Sequence, residues 1–282
     1  MGGKERRATL LGVLLVVIAL FATPLATSAQ TRIKAPRNFF SAKSDVQAGR
    51  EAAAEAERET RVLRDREVTS YVERIGQRLV SVIPQEFQHP EFRYSFKVID
   101  DKDINAFALP GGFVYINRGM IEAARNEGEL AGVMAHEISH VALRHGTAQM
   151  SKAYPWLIGL GIASAVMGNG KAAQVAEVGG AVALQLYFLK FSRKYETEAD
   201  ILGSQLMARA GYDPQDLADV FKLIESKEGN GGPGWLSSHP KPKDRYERIY
   251  QEITLLRVNP YPIDNRSELG RIQARLGSRS RI

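Results

Sequence analysis

Read for the spacing of its apolar positions, the chain is mostly helical, with one short interval of strand-like text. The chain reads as helical from Ser44 to Ile83, and Gln47 to Asp65 is rich in Ala, Glu and Arg, all strong helix formers. Asp45 is placed to cap the first helix there. A second helix, about Val68 to Ile83, repeats apolar residues at Val72, Ile75 and Leu79 until Pro84 stops it. Phe92 to Ile99 and Phe113 to Asn117, rich in aromatic and β-branched residues, predict two strands, and Pro110, Gly111 and Gly112 mark a sharp backbone feature before the second. That second strand, entered through Gly112 and carrying Phe113, Val114 and Tyr115, is a candidate sheet edge on which an extended peptide can lie; an interior hairpin strand is the alternative. A helix follows from about Glu127 to His145, with Gly146 as its C-cap. Beyond it, one helix runs through Ile201, Leu202, Leu206 and Met207 to Gly211, another from Pro214 to about Lys227, and a charged one from near Lys243. The fold class expected is α+β, mostly α-helical, with a small β-sheet whose edge strand lies beside the Glu127 helix.

The N-terminus changes the compartment. Lys4, Arg6 and Arg7 precede an apolar run from Leu10 to Phe21, and Thr27-Ser28-Ala29 supplies the small residues of a cleavage site before Gln30. Residues 1–29 are therefore expected to be a signal peptide, 30–260 a single domain, and 261–282 a basic tail. Export to the periplasm follows, with an uncleaved inner-membrane anchor as the alternative. Tyr154 to Met167 and Ala172 to Leu189 are the most apolar later stretches. The first is short and the second is broken by Gln174, Glu177 and Gln185, so they predict buried or amphipathic helices that could touch a membrane surface. At 44% hydrophobic and 25% charged the composition is ordinarily globular. The net charge of +6 is spread along the chain, and the arginines from Arg266 to Arg281 have few aromatic neighbours, so no nucleic-acid partner is expected.

The candidate chemistry sits in the Glu127 helix. His136, Glu137 and His140 spell H-E-x-x-H, and a helix puts positions i and i+4 on one face, where two imidazoles can hold one metal ion with the glutamate beside it. There is no cysteine, so any third ligand is His, Asp or Glu. A third histidine six residues past the motif is absent, since Gly146 stands there. Glu196 and Asp200, i and i+4 on a later helix, are candidates: Glu196 to ligate, Asp200 to accept a hydrogen bond from a ligand imidazole. Glu198 between them is expected to face solvent, and His145 to cap its helix.

With HEISH, the segments GREAAAE (Gly49 to Glu55), YVERIGQRL (Tyr71 to Leu79), INAFALPGGFVYINRGMI (Ile104 to Ile121), SRKYETEAD (Ser192 to Asp200) and SSHPKPKDRYERI (Ser237 to Ile249) occur in one order. Together they make the chain resemble the HtpX and type I C-a-a-X prenyl protease family of gluzincin metallopeptidases, particularly its soluble periplasmic, BepA-like branch. The resemblance implies a zincin-type fold and one zinc ion per chain held by His136, His140 and Glu196. It implies Glu137 as general base, with Asp200 the acidic residue following the ligand. The NAFALPGG segment and the strand after it match the family's substrate-binding edge. His239 and Arg245 match a late element near the active site, where His239 meets substrate or transition state, or reaches the metal as a fourth, inhibitory ligand. The implied substrates are unfolded or misassembled envelope proteins. A zinc-containing, chaperone-like binding protein is the competing class. The tetratricopeptide array of the BepA-like members is not expected here, and the apolar stretches do not match the membrane spans of HtpX.

Overall fold

A computed structural model describes residues 30–159, 191–228, 234–239 and 244–279. The expected signal peptide and most of the two apolar stretches lie outside the described residues; among those described, no helix is long and apolar enough to cross a membrane.

Helix α1 (Ala42–Glu59) is capped by Ser41, whose side chain accepts from Ser44 N. The expected cap, Asp45, is instead buried and paired with Arg144. Helix α2 (Arg66–Val80) starts at Asp65, which accepts from Glu67 N and Val68 N, and its apolar stripe of Val68, Val72, Ile75 and Leu79 enters the main core.

The sheet holds three strands, β1 (Ser95–Ile99), β2 (Ala106–Leu109) and β3 (Phe113–Asn117), in the order β1-β3-β2. β1 runs parallel to β3 and β2 antiparallel to it. Pro110 to Gly112 close the β2–β3 hairpin, with Gly111 and Gly112 at φ values of +81° and +109° that suit glycine. This topology corrects the assignment of Gly112, Phe113, Val114 and Tyr115 as the edge: β3 is the central strand, paired on both sides. The edges are β1 and β2, and β2 has four residues buried on both faces and so lacks the alternation that announces a strand. The sheet nonetheless presents an edge strand beside the metal-motif helix, because β2 packs against it.

Short helix α3 (Arg118–Ala123) leads to α4 (Glu127–Ala142), the central helix, every residue of which is buried. Asn126 caps it by accepting from Glu129 N. It stops at Ala142, three residues before the expected end. Arg144 takes φ +57°, held by hydrogen bonds to Asp45 and Phe40 O, and Gly146 falls inside the next helix, α5 (His145–Gly159). Helix α6 (Arg193–Ala210) is capped by Ser192 and closed by Gly211 at φ +90°. Then come α7 (Gln215–Glu228), the four-residue α8 (Trp235–Ser238), α9 (Arg245–Leu255) and α10 (Arg266–Arg279). The stretch read as a basic tail is in fact a docked helix over most of its length. Leu269, Ile272 and Leu276 of α10 are buried in the main core, and Arg275 pairs with Asp65 at 2.7 Å. Arg266, Arg271 and Arg275 line the outer face of an amphipathic helix, which explains both the charge and the docking.

Candidate metal centre

The site forms where α4 and α6 cross, the most extensive helix–helix contact among the described elements. Gly203 of α6 permits the approach, since a Cβ there would lie 3.3 Å from His136 N. One turn apart on α4, His136 and His140 bring their Nε2 atoms to 3.0 Å. Glu196 reaches in from the first turn of α6, Oε2 3.5 Å from His136 Nε2 and Oε1 3.5 Å from His140 Nε2. His239, which ends α8, places Nδ1 3.3 Å from His136 Nε2 and 3.2 Å from Glu196 Oε1. The donor atoms of these four buried residues lie within 4.8 Å of one another.

Tetrahedral zinc with bonds of about 2.1 Å would set its donors roughly 3.4 Å apart. The separations of 3.0 to 3.5 Å among the imidazole and carboxylate donors fit that spacing. The donor set also fits chemically: three imidazoles and one carboxylate suit zinc without thiolate.

Glu137, beside the cluster, accepts a hydrogen bond on Oε1 from the Trp235 indole N–H at 3.0 Å, and His239 Nε2 lies 3.3 Å from the same oxygen. Its other oxygen, Oε2, is buried without a hydrogen-bond partner among the described residues. A buried acceptor left open beside a metal-binding cluster is the position a general base needs.

Outer partners hold these side chains. Asp200 Oδ1 sits 3.0 Å from His136 Nδ1. Arg245 grips Asp200 with Nε–Oδ2 and Nη2–Oδ1 both at 2.8 Å and touches Glu196 Oε2 at 3.4 Å, its guanidinium 3.8 Å from the Phe221 ring centroid. Electrostatics follow from burial and these contacts. Burial alone would depress the His136 pKa, but Asp200 and Glu196 override it and push it up to about 9. Burial, and then the neighbouring His136 charge, hold His140 well below the ordinary histidine range. Burial acts to raise Glu196, yet the surrounding histidines hold it well below the usual carboxylate range.

The structure thus brings together His136, Glu137, His140, Glu196, Asp200, His239 and Arg245. Gly112 to Tyr115 are elsewhere: Val114 is core, and the Tyr115 hydroxyl donates to Glu57 at 2.7 Å. Two expectations are corrected. Glu198 does not face solvent; its side chain is 14% exposed and contacts His145. His145 does not cap the metal helix but begins the next one, its Nδ1 3.1 Å from His140 Nδ1. Trp235 and Phe191 complete the surroundings of the site. Phe191 stacks on His140 at 4.2 Å between centroids, and Trp235 on His239 at 4.4 Å. Neither has a sequence signal beyond Trp235 standing four residues before His239.

The model of Peptidase family M48 matches residues 66–253. The chain is 32% identical over 191 residues to the beta-barrel assembly-enhancing protease of Escherichia coli, covering 65% of this chain and 38% of that protein. It is 31% identical over 185 residues to the mitochondrial metalloendopeptidase OMA1 of Schizosaccharomyces pombe, 64% of this chain and 52% of that one. It is also 30% identical over 159 residues to metalloprotease YcaL of Escherichia coli, 56% and 62% of the two lengths. The chain therefore spans less than two thirds of these relatives' own lengths.

Proposed function

The chain belongs to peptidase family M48, a metalloprotease family, and from its buried donor cluster we propose a zinc-dependent endopeptidase that hydrolyses misfolded or misassembled proteins of the cell envelope. The observation that carries this reading is the convergence of His136, His140 and Glu196 beside the open Oε2 of Glu137.

His136, His140 and Glu196 would hold one zinc ion, which when bound acidifies the attacking water and polarises the scissile carbonyl. Glu137 Oε2 takes the proton from the attacking water and passes it to the leaving amine, while the Trp235 N–H fixes the other carboxylate oxygen. Asp200, clamped by Arg245, lies 3.0 Å from His136 Nδ1 and so favours a proton on that nitrogen, with the ring's Nε2 lone pair toward the cluster. The substrate backbone is read as lying along β2, whose outer side pairs with no other strand among the described residues. His239, with one nitrogen near Glu137 and the other near Glu196, is read as a fourth, restraining donor that must give way when a peptide enters.

That same placement supports the second reading, a zinc-containing chaperone-like binding protein in which four donors close the site and clients are held without cleavage. The two diverge in a casein assay. The peptidase degrades unfolded casein, is blocked by a zinc chelator, and loses about 10²-fold or more in the Glu137→Gln form, which keeps one zinc per chain. A Glu137→Gln protein that still cleaves at the wild-type rate would overturn the assignment; casein bound but never cut would favour the holding role.

Export to the periplasm is supported by the basic and apolar N-terminal pattern and the small residues before Gln30. N-terminal sequencing of the protein from its host tests it. A chain beginning at Gln30 agrees, and an intact Met1 indicates an inner-membrane anchor.

A further inference from the structure

Behind His140, on the side of its ring away from the donor cluster, lie two polar residues that the zinc assignment leaves unused. His145 Nδ1 is 3.1 Å from His140 Nδ1, and His145 Nε2 is 3.4 Å from Glu198 Oε2. The His145 ring is fully buried and stacks on Tyr195, 4.4 Å between centroids and 9° between planes. His145 Nε2 and Glu198 Oε2 are both buried with no hydrogen-bond partner among the described residues, so each is the other's near polar neighbour.

Hydrogen-bond polarity selects one arrangement of protons. Two Nδ1 atoms facing each other need one proton and one lone pair between them. If His140 offers its Nε2 lone pair to the cluster, its proton is on Nδ1, and His145 Nδ1 must accept it. The remaining proton of His145 is then on Nε2, where it faces the Glu198 carboxylate. The reverse arrangement puts a proton on His140 Nε2, inside the cluster, and a lone pair against Glu198.

We propose that His145 and Glu198 form a positioning relay that fixes the His140 tautomer, as Asp200 and Arg245 do for His136. The relay rests on the zinc reading above. Both residues lie behind His140, away from the donor cluster, so the relay acts on how firmly the ion is held. His145 cannot itself be a ligand, because it meets His140 through the nitrogen opposite the donor cluster.

The test measures zinc affinity of the full chain by competition with a chromophoric chelator, together with the visible spectrum of the cobalt-substituted protein. Wild type and Glu137→Gln should each bind one zinc; if neither binds, the zinc reading fails and takes the relay with it. His145→Phe keeps the ring and its stacking on Tyr195 but removes both nitrogens. It should bind zinc about 10- to 100-fold more weakly and alter the cobalt spectrum. His145→Gln, which keeps an acceptor and a donor, should recover part of that loss, and Glu198→Gln should weaken binding by a smaller factor. A folded His145→Phe protein with wild-type zinc affinity and an unchanged cobalt spectrum overturns the relay. Should that variant fail to fold, the Glu198→Gln protein decides, and affinity equal to wild type there overturns it.

Discussion

Arg245 offers the most direct measure of how far this site is held together by charge. Its side chain is fully buried, makes two hydrogen bonds of 2.8 Å to Asp200, touches Glu196 at 3.4 Å and lies over Phe221 at 3.8 Å. Arg245→Met keeps most of the apolar contact but leaves the Asp200 carboxylate buried without its cation. Breaking a buried pair from one side costs about 3–5 kcal/mol. At roughly 2–4 °C per kcal/mol for a domain of this size, the zinc-free protein should melt about 6–20 °C lower. Arg245→Lys keeps the charge but cannot make the two-pronged contact, so an intermediate loss is expected. Because the cost comes from an uncompensated carboxylate, neutralising the partner should return much of it. The Arg245→Met/Asp200→Asn double variant should be more stable than the sum of the single losses by about 2 kcal/mol, measured by denaturant unfolding. A loss under about 1 kcal/mol for Arg245→Met, or simple additivity in the double variant, would refute the clamp.

Three further outcomes follow from the geometry. Trp235→Phe removes the N–H that fixes Glu137; a hydrogen bond to a charged group is worth about 1.5–3 kcal/mol, so kcat should fall about tenfold or more with zinc retained, and an unchanged kcat removes the indole from the mechanism. His239→Ala should keep zinc by elemental analysis yet cleave casein faster, because the fourth donor is gone; an identical rate argues that His239 merely ends α8. In the zinc-free protein His136 titrates at about 9, so below that pH zinc must displace its proton. The logarithm of the zinc affinity should rise about one unit per pH unit between roughly pH 6.5 and 9, and a flat profile would contradict the assignment. The sign for stability runs the other way. A folded pKa raised above the unfolded 6.5 stabilises the zinc-free protein fully below pH 6.5, and that contribution is lost as pH rises through 9.

The parts of the site legible in the sequence are those set by local periodicity. H-E-x-x-H in an apolar helix, and Glu196 and Asp200 one turn apart after Ser192, put each donor on the correct face before any tertiary contact is known. What stayed hidden depends on contacts distant in the chain. β2 is too short and too evenly buried to alternate, so β3 read as the edge. The end of α4 is fixed by Arg144 pairing with Asp45, 99 residues earlier, and that break turns His145 back onto His140. A five-residue spacing in one unbroken helix would have carried His145 toward a different face. Glu198 likewise sits opposite the ligand face of α6, yet α5 brings His145 onto it.

The site is therefore asymmetric in how its members are held, and this bears on what can move. His136 is backed by Asp200 and Arg245, His140 by His145 and Phe191, Glu196 by Arg245, and all three residues stand on long helices packed into the core. His239 stands at the end of a four-residue helix and is held through stacking on Trp235 and its contacts with Glu137 and Glu196. A four-residue helix has little cooperative stability of its own, so its position depends on those contacts. A peptide that takes up the polar contacts of His239 replaces them, whereas displacing His136 or His140 would break a buried ion-pair network. Under the proposed function, adjustment on peptide binding would fall on the Trp235–His239 element, and Trp235 touches both that histidine and Glu137.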